Sequence, residues 1–125
     1  MILADSDVLI DFLRGMGPHV DRVARELAAG RLSTSATTVF ELVSGARTAK
    51  QQRAVAALLA ALLVHDVDRE VAARAGRVFR DLRTVGSEIP MADCLLASVS
   101  LVSGTEFLTR NLKHFERVPD LTLVT

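Results

Sequence analysis

The chain alternates two hydrophobic patterns. Short continuous apolar runs predict buried β-strands, and longer stretches with apolar residues every three or four positions predict amphipathic helices. The predicted strands cover residues 1–4, 32–37, 64–67, 106–109 and 121–124. The predicted helices cover residues 6–13, 20–29, 38–46, 50–63, 71–85 and 90–103, and residues 111–115 form a single turn. This alternation implies a three-layer α/β fold with a mainly parallel, about five-stranded central sheet, formed by one domain over residues 1–125.

The first thirteen residues, MILADSDVLIDFL, combine a strand, an acidic turn and a helix. Asp5 ends the apolar run, and Ser6 and Asp7 are both suitable N-cap residues for the helix that follows. In open parallel sheets the functional crevice lies beyond the carboxyl ends of the strands, and the sequence predicts Asp5 at such an end. The alternative is that Asp5 and Asp7 only cap the helix.

Further polar groups are predicted at the same edge of the sheet. Glu41 follows the second strand, Asp93 lies on the first turn of its helix, and Asn111 follows the strand that ends at Thr109. Each also has a structural interpretation: Thr38 and Glu41 fit a capping box, Asp93 suits a helix N-terminus, and asparagine is common in turns.

Composition restricts the kinds of partner. Half of the 125 residues are hydrophobic, and 15 basic residues balance 15 acidic ones, so the whole molecule has no net charge to attract a polyanion. Affinity for nucleic acid would have to come from a local patch or a metal ion. Because the chain has no Trp or Tyr and only five Phe, recognition by base stacking is not favoured.

Cys94 is the single cysteine, which predicts no disulfide and favours a reduced, cytoplasmic setting. The N-terminus lacks the pattern of a secretory signal. The longest apolar run, AVAALLAALLV from Ala54 to Val64, is eleven residues, well short of the roughly 20 that span a bilayer. It predicts either a fully buried helix or part of a groove for a partner, shared with the first helices.

Convergence on one hard cation explains the polar groups together. Mg²⁺ and Mn²⁺ prefer oxygen ligands, and such an ion would neutralise carboxylates that otherwise repel one another. Ser6 and Thr109 are placed to orient carboxylates through hydrogen bonds, and Asp11 to bind either an arginine or a metal-bound water. For His114 we expect a surface or packing role, the alternative being assistance in a phosphate contact. The sequence has no Gly-rich phosphate loop and no zinc-type Cys/His spacing.

Four motifs occur in order across nearly the whole chain: DSDVLIDFL, the glutamate of TTVFELVSGA, IPMADCLLAS and FLTRNLKHF. This ordered set resembles a PIN domain, specifically the VapC-type ribonuclease toxins of type II toxin–antitoxin systems. The resemblance implies a Mg²⁺- or Mn²⁺-dependent endoribonuclease in which Asp5, Glu41 and Asp93 are the metal ligands and Asn111 completes the catalytic set. It also implies a homodimer and inhibition by a cognate VapB-type antitoxin.

Asn111 departs from the pattern of the family, where many members have a fourth aspartate, and a neutral amide favours one metal ion over two. Such an ion would polarise the scissile phosphate and orient a water for in-line attack, leaving a 5′-phosphate and a 3′-hydroxyl. Two other classes stay open. One is a catalytically silent PIN-like binding module, and the other is a receiver-like signalling domain with Asp66 or Asp68 as phosphate acceptor.

Overall fold

The computed structural model describes residues 1–124, in which four short strands form one parallel sheet in the order β3-β2-β1-β4. The strands are β1 (Ile2–Ala4), β2 (Leu32–Ser35), β3 (Leu63–His65) and β4 (Glu106–Leu108). The helices are α1 (Ser6–Arg14), α2 (Val20–Ala28), α3 (Ala36–Gly45), α4 (Ala49–Ala61), α5 (Arg69–Thr84), α6 (Met91–Ser103) and α7 (Leu112–Phe115). The predicted alternation of strands and helices is confirmed.

The sheet separates two hydrophobic cores, as a three-layer fold requires. Along β1, Leu3 belongs to the core under α5, α6 and α7, whereas Ile2 and Ala4 belong to the core under α1 to α4. All three side chains are buried. The sequence interpretation of β1 as a strand buried on both faces is therefore confirmed, because successive side chains of a strand point to opposite faces.

The chain reverses its direction across the sheet at β1. From β1 it adds β2 and then β3 on one side, and the long connection through α5 and α6 then returns it to β4 on the other side of β1. The crevice between the carboxyl ends of β1 and β4 is thus a topological switch point, the position where open α/β sheets bind ligands. Asp5 and Thr109 are the residues that directly follow these two strands.

The predicted fifth strand at residues 121–124 is wrong. This segment makes one isolated parallel bridge, between Leu123 and Phe107, rather than a ladder. Both backbone groups of Phe107 are satisfied by it, since its N–H donates to Thr122 and its carbonyl accepts from Val124. The segment meets β4 only at its central residue, Phe107, whereas β1 on the other side pairs with all three residues of β4.

The predicted cap residues of two helices are also wrong, although α1 begins at Ser6 as predicted and Asp5 is the cap in the alternative interpretation. Asp5 itself is the N-cap of α1, where its carboxylate accepts the Ser6 N–H at 2.7 Å, and the predicted caps Ser6 and Asp7 lie inside the first turn. Ser35 caps α3 by accepting the Thr38 N–H at 3.3 Å. Glu41 therefore lies on the second turn of α3, and the predicted capping box between Thr38 and Glu41 does not form. A run of serines and threonines offers several consecutive caps, and hydrophobic spacing alone does not choose among them.

The apolar run 54–64 is not a fully buried helix. In α4 only Val55 and Leu58 are buried, the alanines of the helix are all exposed, and Leu63 at the start of β3 is 52 % exposed. Alanine has little apolar surface to bury, so a run rich in alanine gives a high apolar count without requiring a second buried face. Within residues 1–124, no helix is long and apolar enough to cross a membrane.

The strand order also excludes the receiver-like alternative, because flavodoxin-like sheets follow the order 2-1-3-4-5 and this sheet does not. Asp68, one of its two candidate acceptors, instead caps α5 by accepting the Val71 N–H at 3.0 Å.

The loop after α1 folds back over the buried carboxylate of Asp11. Gly15 and Gly17 both have positive φ, but a Cβ at Gly15 would meet nothing within 4 Å, whereas one at Gly17 would lie 2.7 Å from Oδ2 of Asp11. Replacing Gly15 by Ala should cost about 1 to 2 kcal/mol for its left-handed backbone. Gly17→Ala should cost at least about 1 kcal/mol more, because buried Asp11 cannot move away freely. Chemical denaturation of both variants measures the difference, and equal losses would contradict the close packing.

Candidate active site

Asp5 is the centre of the polar cluster at the switch point. It is only 9 % exposed, and each carboxylate oxygen has one neutral donor. Oδ1 accepts the Ser6 N–H at 2.7 Å, and Oδ2 accepts the Thr109 hydroxyl at 2.8 Å. Because Asp5 and Thr109 are 104 positions apart, this hydrogen bond ties the ends of β1 and β4 together at the crevice.

Hydroxyl groups continue the hydrogen bonding around Asp5, but only the Thr109 hydroxyl reaches its carboxylate, because Ser6 holds Asp5 through its backbone N–H. The Thr109 oxygen also accepts the Asn111 N–H at 3.0 Å, which fixes the start of the last segment. The Ser6 hydroxyl donates to the Thr38 hydroxyl at 3.2 Å, which links α1 to α3. All three hydroxyl-bearing residues are buried.

Asp93 lies on the first turn of α6, as predicted, and is half-buried beside His114. Nδ1 of His114 is 3.1 Å from Oδ2 of Asp93 and 2.9 Å from Nδ2 of Asn111. A protonated Nδ1 donates to the carboxylate and an unprotonated one accepts from the amide, so only one contact is a hydrogen bond in a given protonation state. Asn111, the N-cap of α7, therefore lies one side chain away from Asp93.

Burial without a fixed positive charge controls the ionisation of both aspartates. Burial raises the pKa of Asp5 to about 6, the Thr109 hydrogen bond opposes this, and the negative charges of Asp7 and Asp93 add to it. Burial likewise raises the pKa of Asp93, while His114 opposes the shift and Asp7 adds to it. These carboxylates hold their protons more tightly than ordinary aspartates, which is the condition that a bound cation would reverse.

Glu41 is the predicted site residue least involved in this cluster. It is exposed on the second turn of α3, and it lines a groove between α1, α3 and α4. Within residues 1–124 no three His, Cys, Asp or Glu side chains are close enough to hold a metal ion as they stand. The structure thus brings Asp5, Asp93, Asn111, Ser6 and Thr109 to one edge, and the role of Glu41 as a ligand stays a prediction.

Sequence reasoning missed Arg110. Its Nε lies 3.2 Å from Oδ2 of Asp11, and a terminal nitrogen lies 3.6 Å from Oδ2 of Asp7. The open choice for Asp11 between an arginine and a metal-bound water is resolved in favour of the arginine. A signal was present in the sequence: Asp7 and Asp11 are like charges four positions apart on one helix, which is unfavourable unless a cation lies between them.

Comparison with known proteins identifies the class. The profile of the PIN domain family matches residues 2–121, and the chain belongs to that family. Among curated proteins it is 37 % identical to Ribonuclease VapC10 of Mycobacterium tuberculosis over 115 residues, covering 92 % of this chain and 86 % of VapC10. It is 30 % identical over 122 residues to Ribonuclease VapC19 of the same organism, covering 97 % of each chain.

Solved structures agree with that assignment. The fold superposes on VapBC-1 of nontypeable Haemophilus influenzae with a TM-score of 0.83 and 27 % identity, covering 99 % of this chain and 97 % of that one. Within the PIN family the chain is therefore of the VapC type, and the resemblance carried by the four motifs is confirmed.

The raised pKa of Asp5 predicts an unusual pH dependence of stability. Because the pKa is raised from 3.8 to about 6, ionisation of Asp5 costs stability as the pH rises through that range. A shift of about two units corresponds to about 3 kcal/mol. In EDTA, the free energy of unfolding of Asp5→Asn relative to wild type should therefore increase between about pH 4 and pH 7. Urea denaturation at several pH values measures this, and a difference that does not change with pH would contradict the raised pKa.

Proposed function

We propose that this chain is a Mg²⁺- or Mn²⁺-dependent endoribonuclease toxin that a VapB-type antitoxin neutralises. The observation that carries the proposal is the buried carboxylate of Asp5, held by neutral donors at the switch point beside Asp93. Membership of the PIN family and similarity to proteins named Ribonuclease VapC support the class of reaction. We place its action in the cytoplasm, where its RNA substrate is found.

The residues fit a hard cation. Asp5 and Asp93 supply carboxylate oxygens whose pKa values are raised mainly by burial, a cost that a bound cation would offset. Asn111 lies nearby, with its amide nitrogen 2.9 Å from Nδ1 of His114, but its amide oxygen caps α7 by accepting the His114 N–H at 3.4 Å and would have to turn to reach an ion. Glu41 would join them as the third carboxylate after movement of its exposed side chain. Oxygen donors without cysteine are the set that Mg²⁺ and Mn²⁺ prefer.

The chemistry divides between the ion and the chain. A bound Mg²⁺ or Mn²⁺ would polarise the scissile phosphate and lower the pKa of the attacking water. The chain's own contribution is orientation: Thr109 and Ser6 fix the two oxygens of Asp5, so its carboxylate presents a constant direction. His114 contacts Asp93 and can hold a proton at Nδ1. We expect products with a 5′-phosphate and a 3′-hydroxyl.

Affinity for RNA needs positive charge outside this acidic centre. Helix α5 carries five arginines and two carboxylates, a net charge of +3, although the whole chain has none. Its apolar residues, including Val71, Val78 and Leu82, are buried, so most of the arginines face solvent. Helix α5 packs against α6, which carries Asp93. A local patch of this kind can attract a polyanion to a neutral protein.

The groove between α1, α3 and α4 fits the antitoxin. It has a volume of about 450 Å³, and its apolar lining includes Ile10, Leu13, Leu42 and Val55. Such a groove suits the apolar face of an amphipathic helix. Structural relatives of this chain occur in complexes, as in VapBC-1 of Haemophilus influenzae. Glu41 lines the same groove, so a bound antitoxin would reach the edge of the site.

A homodimer also belongs to this proposal. Phe40 and Val43 lie three positions apart on α3 and are 73 % and 57 % exposed, which is unusual for large apolar residues. They provide an apolar surface on which a second copy could pack.

Replacing Asp93 by Asn tests the proposed function. The substitution removes a ligand, so cleavage of RNA by purified, antitoxin-free protein should be abolished. It also removes a half-buried negative charge that repels those of Asp5 and Asp7, so the melting temperature in EDTA should stay the same or rise. Sequencing of RNA ends and thermal unfolding measure the two effects. If wild-type protein fails to cleave RNA with Mg²⁺ or Mn²⁺, the silent binding module is the correct class.

Replacing Glu41 by Gln tests the third ligand. Because Glu41 is exposed and takes no part in capping α3, the variant should unfold at the wild-type temperature. If Glu41 is a ligand, Mn²⁺ affinity should fall, with a loss on the order of tenfold or more, and cleavage should be lost. Calorimetric titration gives the affinity. Wild-type Mn²⁺ binding and cleavage in this variant would remove Glu41 from the site.

A further inference from the structure

Arg110 lies beside the candidate active site and contacts two carboxylates there. It follows Thr109, the residue that holds Asp5, and precedes Asn111. Its guanidinium spans two carboxylates on successive turns of α1, with 3.2 Å from Nε to Asp11 and 3.6 Å from a terminal nitrogen to Asp7. The last segment and the first helix are therefore joined by charge next to the crevice.

Asp11 depends on this contact. It is 7 % exposed, and its Oδ2 has no hydrogen bond in the part of the chain that the structure describes. The 3.2 Å contact with Arg110 is an ion pair that lacks hydrogen-bond alignment. This oxygen is inaccessible to solvent, and there is no room for a side chain at Gly17, where a Cβ would lie 2.7 Å from it. A buried carboxylate of this kind needs a compensating cation.

Asp7 connects this pair to the candidate active site. It is exposed on the first turn of α1, two residues after Asp5, and it shares the guanidinium of Arg110 with Asp11. The edge thus carries four carboxylates, of which two face Arg110 and two have no arginine or lysine partner among residues 1–124. Arg110 compensates the charges of Asp7 and Asp11, which form the compensated pair, and leaves Asp5 and Asp93 as the open pair.

We propose that Arg110 is a built-in counter-ion for Asp7 and Asp11, and that it keeps these two carboxylates from binding a second metal ion. Asp5 and Asp93 are then left as the carboxylates available to a single ion. A guanidinium is always charged and fixed to the chain, so it serves where a second divalent ion would otherwise be attracted. This inference rests on the proposed function only in taking Asp5 and Asp93 as ligands of the first metal ion.

The central experiment counts metal ions. Calorimetric titration of EDTA-treated, dialysed protein with Mn²⁺ should give about one ion for wild type and a second, weaker ion for Arg110→Met, because Asp7 and Asp11 lose their cation. The second ion should disappear again in Arg110→Met combined with Asp7→Asn. Arg110→Lys keeps the positive charge and should still bind one ion, and so should the control Arg117→Met, whose guanidinium donates to the Glu88 carbonyl at 3.0 Å. A single ion in Arg110→Met, bound with wild-type affinity, would overturn the proposal.

A second variant covers the case in which Arg110→Met does not fold. Asp7→Asn in the wild-type background should leave Mn²⁺ affinity within a few-fold of wild type, because Asp7 belongs to the compensated pair. The loss in Asp93→Asn should instead be on the order of tenfold or more. Equal losses would show that Asp7 is a ligand and that the proposed division is wrong.

Thermal unfolding in EDTA decides the counter-ion role without any metal. Arg110→Met should lower the melting temperature in the wild-type background and lower it less in the background of Asp11→Asn, where no charge needs compensation. Equal shifts in both backgrounds would reject the role. If wild-type protein binds no Mn²⁺ at all, the proposed function fails, and this thermal cycle still decides the role of Arg110.

Discussion

This structure depends on one constraint: an ionisable carboxylate lies at the buried end of the central strand. Asp5 has lost most of its water, and the donors that replace it, one N–H and one hydroxyl, are neutral. Two neutral hydrogen bonds do not compensate for the lost hydration, which is why burial dominates the pKa. Ionisation of this group therefore costs the folded protein stability, and a cation bound beside it would offset that cost.

The sheet topology makes that arrangement possible. Because β1 lies between β2 and β4 and all three are parallel, the residues that follow them come to one edge from distant parts of the sequence. The Asp5 N–H donates to the carbonyl of Leu108, so the backbone of β4 also fixes the start of α1. The hydrogen bond from Thr109 then orients the carboxylate itself. The contacts that hold β1 and β4 together therefore also set the geometry of the site.

The sequence was most informative where local rules agree with the fold. Strand, acidic turn and helix at residues 1–13 follow from hydrophobic spacing, and the position of Asp5 follows from the rule for parallel sheets. The start of α3 could not be predicted in the same way, because Ser35 and Thr38 are both acceptable caps and the choice depends on where β2 ends. The false fifth strand had the right composition, but strand length and pairing depend on a neighbour distant in sequence.

Arg110 shows a second limit of sequence reasoning. The pair Asp7 and Asp11 indicated that a cation was needed, but thirteen arginines are candidates and only the β1–β4 pairing selects one. The same pairing brings Arg110 and Thr109 to α1, so one segment supplies an orienting hydroxyl to Asp5 and a positive charge to its neighbours.

The chain has no net charge, yet its charged residues are distributed unevenly over the fold. Two carboxylates face arginine, two lack a fixed cation, and most of the arginines of α5 face solvent on a separate helix. Charges that cancel in a total can still act separately when the fold holds them apart, because interactions between exposed charges are largely screened beyond about 8 to 10 Å.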